Sequence, residues 1–256
     1  MFVLNRTSPG ENYMANQEVR TKILNQVKVF GGSLAGIASL EELKRSPSYQ
    51  IYPGNPYYSF FDGMPDWPKD AKSVLAFALE HKQGDPSLDW WDPRPGGTPG
   101  NRILIDIQNQ MEGWLADELG IFSISLPYKI EKGGVFLKDT AVLAGLGIIG
   151  KNNLLITPEY GSRIRLRAMY LSSEFDSTGP SQFDPCLDCA RPCFSACPED
   201  AFRSGYYQRE YCQNQMKDNE DKEKPHPEFP EFGHVRYCRA CELACPVPGP
   251  VPRKKN

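Results

Sequence analysis

Residues 186–198 (CLDCARPCFSACP) and residues 238–246 (CRACELACP) decide how the last third of the chain folds. Each run ends in Cys-Pro, as bacterial ferredoxin-type [4Fe–4S] motifs do. The second and third cysteines of the first run are separated by three residues, where the commonest motif has two. The spacing lets several thiolates converge on one inorganic cube, and it predicts a protein that transfers single electrons.

The cysteines divide into two predicted ligand sets. In ferredoxins with two clusters, the last cysteine of a run binds the cluster of the other run. This rule assigns one [4Fe–4S] cluster to Cys186, Cys189, Cys193 and Cys245. It assigns the other to Cys197, Cys212, Cys238 and Cys241, where Cys212 lies between the two runs.

Zinc and disulfides are the alternatives for these cysteines. Zinc also uses Cys-x2-Cys pairs, but eight thiolates without paired histidines would be an unusual pair of zinc sites. Residues 1–180 contain no cysteine, whereas a secreted disulfide scaffold normally spreads its bridges through the fold. The clustering favours one ligand-bearing module in a reducing compartment, and we expect a cytoplasmic protein.

Charge and hydropathy exclude other classes. The formal net charge is −3, without the basic excess of a strong nucleic-acid binder, although a local RNA-binding patch stays open. No apolar run reaches the roughly 18 residues that a membrane-spanning helix needs. The N-terminal residues lack the basic start and apolar stretch of a secretory signal.

The first 180 residues alternate between helical and strand patterns, which predicts an α/β or α+β domain. Apolar residues at helical spacing predict helices over 17–30 and 101–120, the second ending at Gly120. Residues 71–81 (AKSVLAFALEH) predict a buried strand, and the stretches on either side of PEYGS predict a hairpin. We place the domain boundary near residue 180, giving domains of 1–180 and 181–256, and expect an exposed loop over 217–232.

Residues 141–171 (AVLAGLGIIGKNNLLITPEYGSRIRLRAMYL), followed by the double cysteine module, resemble epoxyqueuosine reductase and the related reductive dehalogenases. The resemblance implies an α+β fold, in which a nitroreductase-like cobalamin-binding domain precedes a small ferredoxin-like domain with two [4Fe–4S] clusters. It also implies that the clusters pass electrons to a cobalt centre, and that the sequence around 145–164 holds the corrinoid. The implied cofactor-binding residues are Lys151, Asn152, Asn153, Gly161, Arg163 and Ile164.

The chain departs from that family at two places. We expect no counterpart here of the helical-repeat region that helps epoxyqueuosine reductase to hold tRNA. The Asp-Ser-Ala-Pro-like stretch with the family's catalytic aspartate is also missing. Counting back from Ala144 places Glu131 near the acid position, and Asp139 is the next candidate. We therefore expect a shorter relative with a different substrate.

Other patterns carry weaker signals. Gly145-x-Gly147-x-x-Gly150 matches the dinucleotide-binding string, but a helical pattern precedes it and a strand pattern follows, the reverse of what that motif requires. Three arginines alternate at 163, 165 and 167, which indicates an ion-paired or solvated strand face or an anion-binding one. Tyr170 is either a proton donor or a core residue. The three histidines form no metal-spaced set.

The sequence therefore predicts an oxidoreductase in which an external donor, such as a ferredoxin or flavodoxin-like protein, reduces the clusters and these reduce a corrinoid. The substrate would be a small organic molecule. The alternative is a non-catalytic electron carrier or activator whose first domain docks a partner such as a corrinoid protein. A flavin in the first domain is a third interpretation.

Overall fold

The computed structural model describes residues 9–51 and 67–250. The helices in these ranges are α1 (Pro9–Val29), α2 (Leu40–Lys44), α3 (Pro47–Ile51), α4 (Pro99–Leu119), α5 (Leu137–Leu143), α6 (Pro192–Ser195), α7 (Arg209–Glu220) and α8 (Ala240–Leu243). The strands are β1 (Leu34–Ser39), β2 (Ser73–Glu80), β3 (Ser123–Ser125), β4 (Ile148–Ile149), β5 (Leu155–Ile156), β6 (Ile164–Leu171), β7 (Lys224–Pro225) and β8 (Gly233–His234). Among the described helices, none combines the length and apolarity that crossing a membrane requires.

A four-stranded antiparallel sheet in the order β1-β2-β6-β3 organises the first part of the chain. The central strand β2 is apolar along most of its length because both of its faces are covered. An antiparallel sheet packed against helices is an α+β arrangement. The predicted α+β class and the predicted strand over 71–81 are thereby confirmed.

Helices α1 and α4 cover one face of the sheet. The apolar stripe predicted for 101–120 is confirmed, since Leu104, Ile107, Met111 and Leu115 are all buried there against strands and α1. Burying each such side chain contributes about 1.5–3 kcal/mol. Gly120 ends α4 in the left-handed conformation, with φ of 62°. The helix begins two residues earlier than predicted, at Pro99, because the Thr98 hydroxyl accepts a hydrogen bond from the Asn101 N–H.

Helix α5 packs on the opposite face and leads into the glycine-rich turn. It ends at Leu143, and β4 and β5 then pair as a short antiparallel ribbon. A Cβ atom on Gly147 would lie 2.1 Å from the Ile156 carbonyl oxygen, so the glycine string serves close packing of this ribbon. The helix precedes the string, which is the order opposite to a dinucleotide-binding loop.

The predicted hairpin across PEYGS is wrong in its pairing. Strand β5 pairs with β4, while β6 pairs with β2 and β3 in the main sheet. Only an isolated bridge between Thr157 and Gly161 closes the intervening turn. Strand β6 therefore joins the main sheet directly after a tight turn.

The stretch over 217–232 is also more regular than the predicted exposed loop. Helix α7 extends to Glu220, and β7 and β8 form a short hairpin that brings Val235 into a bridge with Trp91. The Trp90 ring packs 4.8 Å from the His234 ring, and the Arg236 guanidinium lies 3.9 Å from the Trp90 ring centre. The tryptophan pair thus binds this hairpin to the first part of the chain.

Candidate functional site

Four cysteines from both runs surround one cavity, which encloses about 300 Å³ of empty space counting its mouth. They are Cys186, Cys189, Cys193 and Cys245. The rest of the lining is Pro185, Pro192, Pro246, Asn152, Ile156 and Val247. Cys245 reaches this cavity because α8, which precedes it, packs against α6. Below, these four residues are called the first thiol group.

The other four cysteines lie together beside this cavity and form the second thiol group: Cys197, Cys212, Cys238 and Cys241. Cys238 is within electrostatic range of Cys212 and Cys197, and Cys241 is within range of the other three members of its group. Cys241 is also within range of Cys193, so the two groups are adjacent. All eight cysteines are free thiols.

Burial raises the pKa of four of the thiols, those of Cys186, Cys193, Cys238 and Cys241. Burial, with the neighbouring thiols, raises the pKa of Cys193 to about 11 and that of Cys241 to about 12. Metal ligation requires thiolates, so loading these groups with metal ions would release protons.

Backbone N–H groups point at three of the sulfur atoms. The Arg191 N–H lies 3.3 Å from Cys189 Sγ, and the Ala201 N–H lies 3.3 Å from Cys197 Sγ. The Ala240 N–H lies 3.5 Å from Cys238 Sγ. Hydrogen bonds of this kind stabilise thiolate ligands and tune the potential of iron–sulfur clusters.

The turn over 150–164, predicted to approach a corrin, contacts the cysteine module. Lys151 Nζ donates a 2.8 Å hydrogen bond to the Cys186 carbonyl oxygen. The buried Asn152 amide lines the first cavity and donates a 3.4 Å hydrogen bond to the Cys241 carbonyl oxygen. Asn153 has φ of 59°, and its carbonyl and side-chain oxygens both accept from Lys138 Nζ at 2.8 Å.

The end of the same turn lies against the residue that follows the last Cys-Pro. Arg163 donates a 3.3 Å hydrogen bond to the Val247 carbonyl oxygen. Gly161 has φ of 60°, and a Cβ atom there would lie 2.2 Å from that oxygen. Ile164 is buried at the start of β6, in the apolar cluster that includes α5. The predicted cofactor residues are therefore brought together, with four of them in contact with the module.

A Gly161→Ala substitution should reveal how tightly the module is seated. An Ala at this φ costs about 1 kcal/mol, and forcing its methyl group against a backbone carbonyl costs roughly 1–3 kcal/mol more. Gly120→Ala is the control, because Gly120 has φ of 62° and nothing within 4 Å of its Cβ position. Anaerobic thermal melts should show a clearly larger decrease in melting temperature for Gly161→Ala. Equal decreases in the two variants would contradict this seating.

The candidate acids lie in different settings. Glu131 is exposed in the 3-10 turn Ile130–Lys132, with Lys129 Nζ 3.9 Å from its carboxylate. Asp139 is buried, and its carboxylate accepts hydrogen bonds from the Ser48 N–H at 3.0 Å and the Ser48 hydroxyl at 2.6 Å. Asp139 thereby links α5 to α3. Neither acid lines the first thiol cavity. Tyr170 is a buried core residue whose pKa is raised by that burial.

A ring of charges joins the cysteine module to the sheet, and the sequence patterns did not reveal it. Asp89 Oδ1 lies 2.7 Å from Arg165, and Asp89 Oδ2 lies 2.6 Å from Arg239. Glu242 closes the ring by pairing with both arginines. His81 Nδ1 lies 2.6 Å from Asp89, inside the first part of the chain. Arg239 and Glu242 each directly follow a cysteine of the second group, which is the one local signal for this ring.

The fold and site thus define a class: an α+β domain joined through partly buried charges to a module of two adjacent thiol groups. Comparison with known proteins narrows this class. No protein-family model matches the chain. An epoxyqueuosine reductase from Listeria monocytogenes is 36% identical over 117 residues, covering 43% of this chain and 29% of that protein. A tetrachloroethene reductive dehalogenase from Desulfitobacterium hafniense is 30% identical over 177 residues, covering 64% of this chain and 30% of that protein.

Solved structures agree on the fold. Epoxyqueuosine reductase from Streptococcus thermophilus superposes with a TM-score of 0.60 and 20% identity, over 93% of this chain and 69% of that one. Another epoxyqueuosine reductase, solved with an epoxyqueuosine-modified tRNA stem loop, gives a TM-score of 0.61 and 19% identity over 90% of this chain and 65% of that one. The chain is therefore similar in sequence to epoxyqueuosine reductases and reductive dehalogenases, and it shares the fold of epoxyqueuosine reductase. It spans less than a third of the length of either curated relative described above.

Proposed function

We propose that this protein is an iron–sulfur oxidoreductase that passes single electrons through two [4Fe–4S] clusters to an acceptor held by its first domain. The observation that carries the proposal is the grouping of eight free thiols into two adjacent sets of four. Each set mixes cysteines from distant parts of the chain, as ferredoxin-type ligand exchange requires. The reductase names of both curated relatives support the redox assignment.

The surroundings of the two thiol groups suit [4Fe–4S] clusters, as does the number of cysteines in each group. Backbone N–H groups aimed at sulfur are the donors that iron–sulfur ligands ordinarily have. Each cluster would accept one electron from an external donor, such as a ferredoxin or flavodoxin-like protein, and give it up to the next centre. Adjacency of the groups supports direct transfer from one cluster to the other.

A corrinoid is the expected acceptor from the superfamily resemblance, and the residues predicted to hold it have other partners. Lys151 and Asn152 donate to carbonyl groups of the cysteine module, and Arg163 donates to Val247. Gly161 is in backbone contact with the same residue. These side chains support the clusters, so a corrinoid would need other surfaces of the first domain.

The second candidate function, a non-catalytic electron carrier, is favoured by the same contacts. If the 150–164 turn serves only to seat the module, the clusters are the whole redox function and the first domain docks a partner. tRNA binding, which one structural neighbour displays, would be one form of such docking. Cofactor content separates the two functions.

Metal and cofactor analysis of protein purified without air should give about eight iron and about eight sulfide per chain, with little zinc. Stoichiometric added cobalamin, retained through gel filtration and seen in the visible spectrum, would support the enzyme. Intact clusters without cobalamin binding would support the carrier, and a yellow chromophore released on denaturation would indicate a flavin. Zinc or disulfides in place of iron and sulfide would refute the redox proposal.

A further inference from the structure

The three alternating arginines of the 163–167 stretch have different partners. Arg163 binds the backbone of the cysteine module, and Arg165 pairs with the carboxylates of Asp89 and Glu242. Arg167 has no carboxylate partner among residues 9–51 and 67–250. It is nevertheless the most buried of the three, with 4% of its surface exposed.

The hydrogen bonds of Arg167 leave its guanidinium incompletely satisfied. Its NH2 group donates a 2.9 Å bond to Asn101 Oδ1, and its NH1 group has only a long 3.4 Å bond to the Leu126 carbonyl oxygen. The Nε–H is buried and has no acceptor. A guanidinium offers five donors in a fixed fork, so much of its binding capacity is unused.

The position of Arg167 adds to this positive charge. Asn101 lies in the first turn of α4, a helix of 21 residues whose N-terminal end carries partial positive charge. A buried charge without a counter-ion is strongly unfavourable, and a helix N-terminus beside it makes the site more so. An anion between the guanidinium and the helix end would relieve both.

Tyr128 is an exposed residue near Arg167. Tyr128 is 61% exposed and lies two residues beyond Leu126, whose carbonyl oxygen is within 3.4 Å of the Arg167 guanidinium. An anion arriving beside Tyr128 would therefore meet Arg167 within a short distance of solvent. Tyr128 also offers a hydroxyl donor of its own.

We propose that Arg167 anchors an anion-binding site at the N-terminal end of α4, which takes the phosphate or carboxylate group of a ligand of the first domain. Bidentate binding of such planar or tetrahedral anions is what arginine does best. The proposal does not depend on the clusters, because every residue in it belongs to the first domain. Its failure would leave the electron-transfer function untouched.

The test is anion binding by the anaerobically purified full chain, followed by thermal melts and calorimetry. Inorganic phosphate and acetate are the two probes, with chloride at matched ionic strength as the salt control. We expect phosphate, acetate or both to raise the melting temperature beyond the effect of chloride. The stronger probe identifies the ligand group.

The decisive variant is Arg167→Met, which keeps much of the side-chain volume and removes the charge. We expect it to weaken anion binding about tenfold or more, while its ligand-free melting temperature equals or exceeds that of the wild type. Arg167→Lys, which keeps the charge without the fork, should bind with intermediate affinity and also covers the case in which the Met variant fails to fold. Arg45→Met, at an exposed position, is the matched control and should leave anion binding unchanged.

Two results would overturn the site. One is a wild-type protein whose melting temperature and calorimetry respond to neither anion more than to chloride. The other is an anion response that Arg167→Met, or Arg167→Lys where the Met variant is unfolded, leaves the same as in wild type. In either case, Arg167 would be a structural residue whose hydrogen bonds to Asn101 and Leu126 suffice.

Discussion

Replacing Cys245 with serine should remove the same cluster that Cys186→Ser removes, although Cys245 ends the second cysteine run. The reason is geometric, since Cys245 lines the cavity that also holds Cys186, Cys189 and Cys193. Iron should fall from about eight to about four per chain in either single variant, because each loses one whole [4Fe–4S] cluster. Cys197→Ser should lose the other cluster.

Double variants test this grouping of the ligands more stringently than single variants. Cys186→Ser with Cys245→Ser should lose no more iron than either change alone, and should leave the same electron paramagnetic resonance signal in the reduced protein. Cys186→Ser with Cys197→Ser should lose both clusters. If Cys245→Ser instead leaves the signal that Cys238→Ser leaves, the ligands are grouped by run and the exchange between runs is wrong.

The local elements were the readily predictable part of this fold. Strand β2 is a continuous apolar run, and α4 carries an apolar stripe at helical spacing that ends at Gly120. Both signals depend on residues close in sequence, so they can be recognised without knowledge of the tertiary contacts. Their predicted types are correct, and their ends differ by about two residues.

Strand pairing was not predictable in the same way. Strand β6 follows a tight turn after β5, which suggested a hairpin, yet β6 is the inner strand that pairs with β2 and β3. All eight residues of β6, which are mostly apolar or arginine, pair with residues of β2, whereas β5 contains only two residues. The longer pairing of β6 with β2 forms instead of a β5–β6 hairpin. The sequence around β6 alone does not reveal it, because it depends on where β2 lies.

The site divides in a similar way. Cysteine spacing predicted the two groups in which the thiols lie, because the ferredoxin-type rule depends only on positions in the sequence. The charge ring obeys none, since Asp89 and Glu242 are about 150 residues apart in sequence and carry no motif. The 150–164 turn shows the limit of resemblance: its Lys151 and Asn152 lie at the predicted place and contact the module rather than open space.

Asp89→Asn should destabilise the protein strongly. Asp89 is the member of the ring that contacts both arginines and His81, and its side chain is 12% exposed. Removing its charge would leave two guanidinium groups with only Glu242 between them. Breaking a network of this kind costs about 3 kcal/mol, near the lower end of the range for buried networks, because the Arg165 side chain is 31% exposed.

Thermal melts of the cluster-loaded protein under anaerobic conditions measure this effect. A loss of about 3 kcal/mol corresponds to a decrease of roughly 6–12 °C for a chain of this size. The control is Asp218→Asn, which breaks the exposed i,i+4 pair between Asp218 and Lys222 and should cost no more than about 0.5 kcal/mol. Similar shifts in the two variants would show that the ring contributes no more than a surface pair.

The ring of charges also predicts how the effect of Asp89→Asn on stability depends on pH. Burial alone would raise the pKa of Asp89, but the His81 hydrogen bond and the charges of Arg165 and Arg239 hold that pKa below its usual value. A lowered carboxyl pKa contributes stability above about pH 4 and loses it as the pH falls further. The difference in free energy of unfolding between wild type and Asp89→Asn should therefore be full at pH 7 and shrink as the pH drops below about 4.

Because Arg239 and Glu242 adjoin Cys238 and Cys241, the variant should also release iron to a chelator faster from the second thiol group than from the first. Equal release rates from both groups would mean that the ring joins the domains without supporting that cluster.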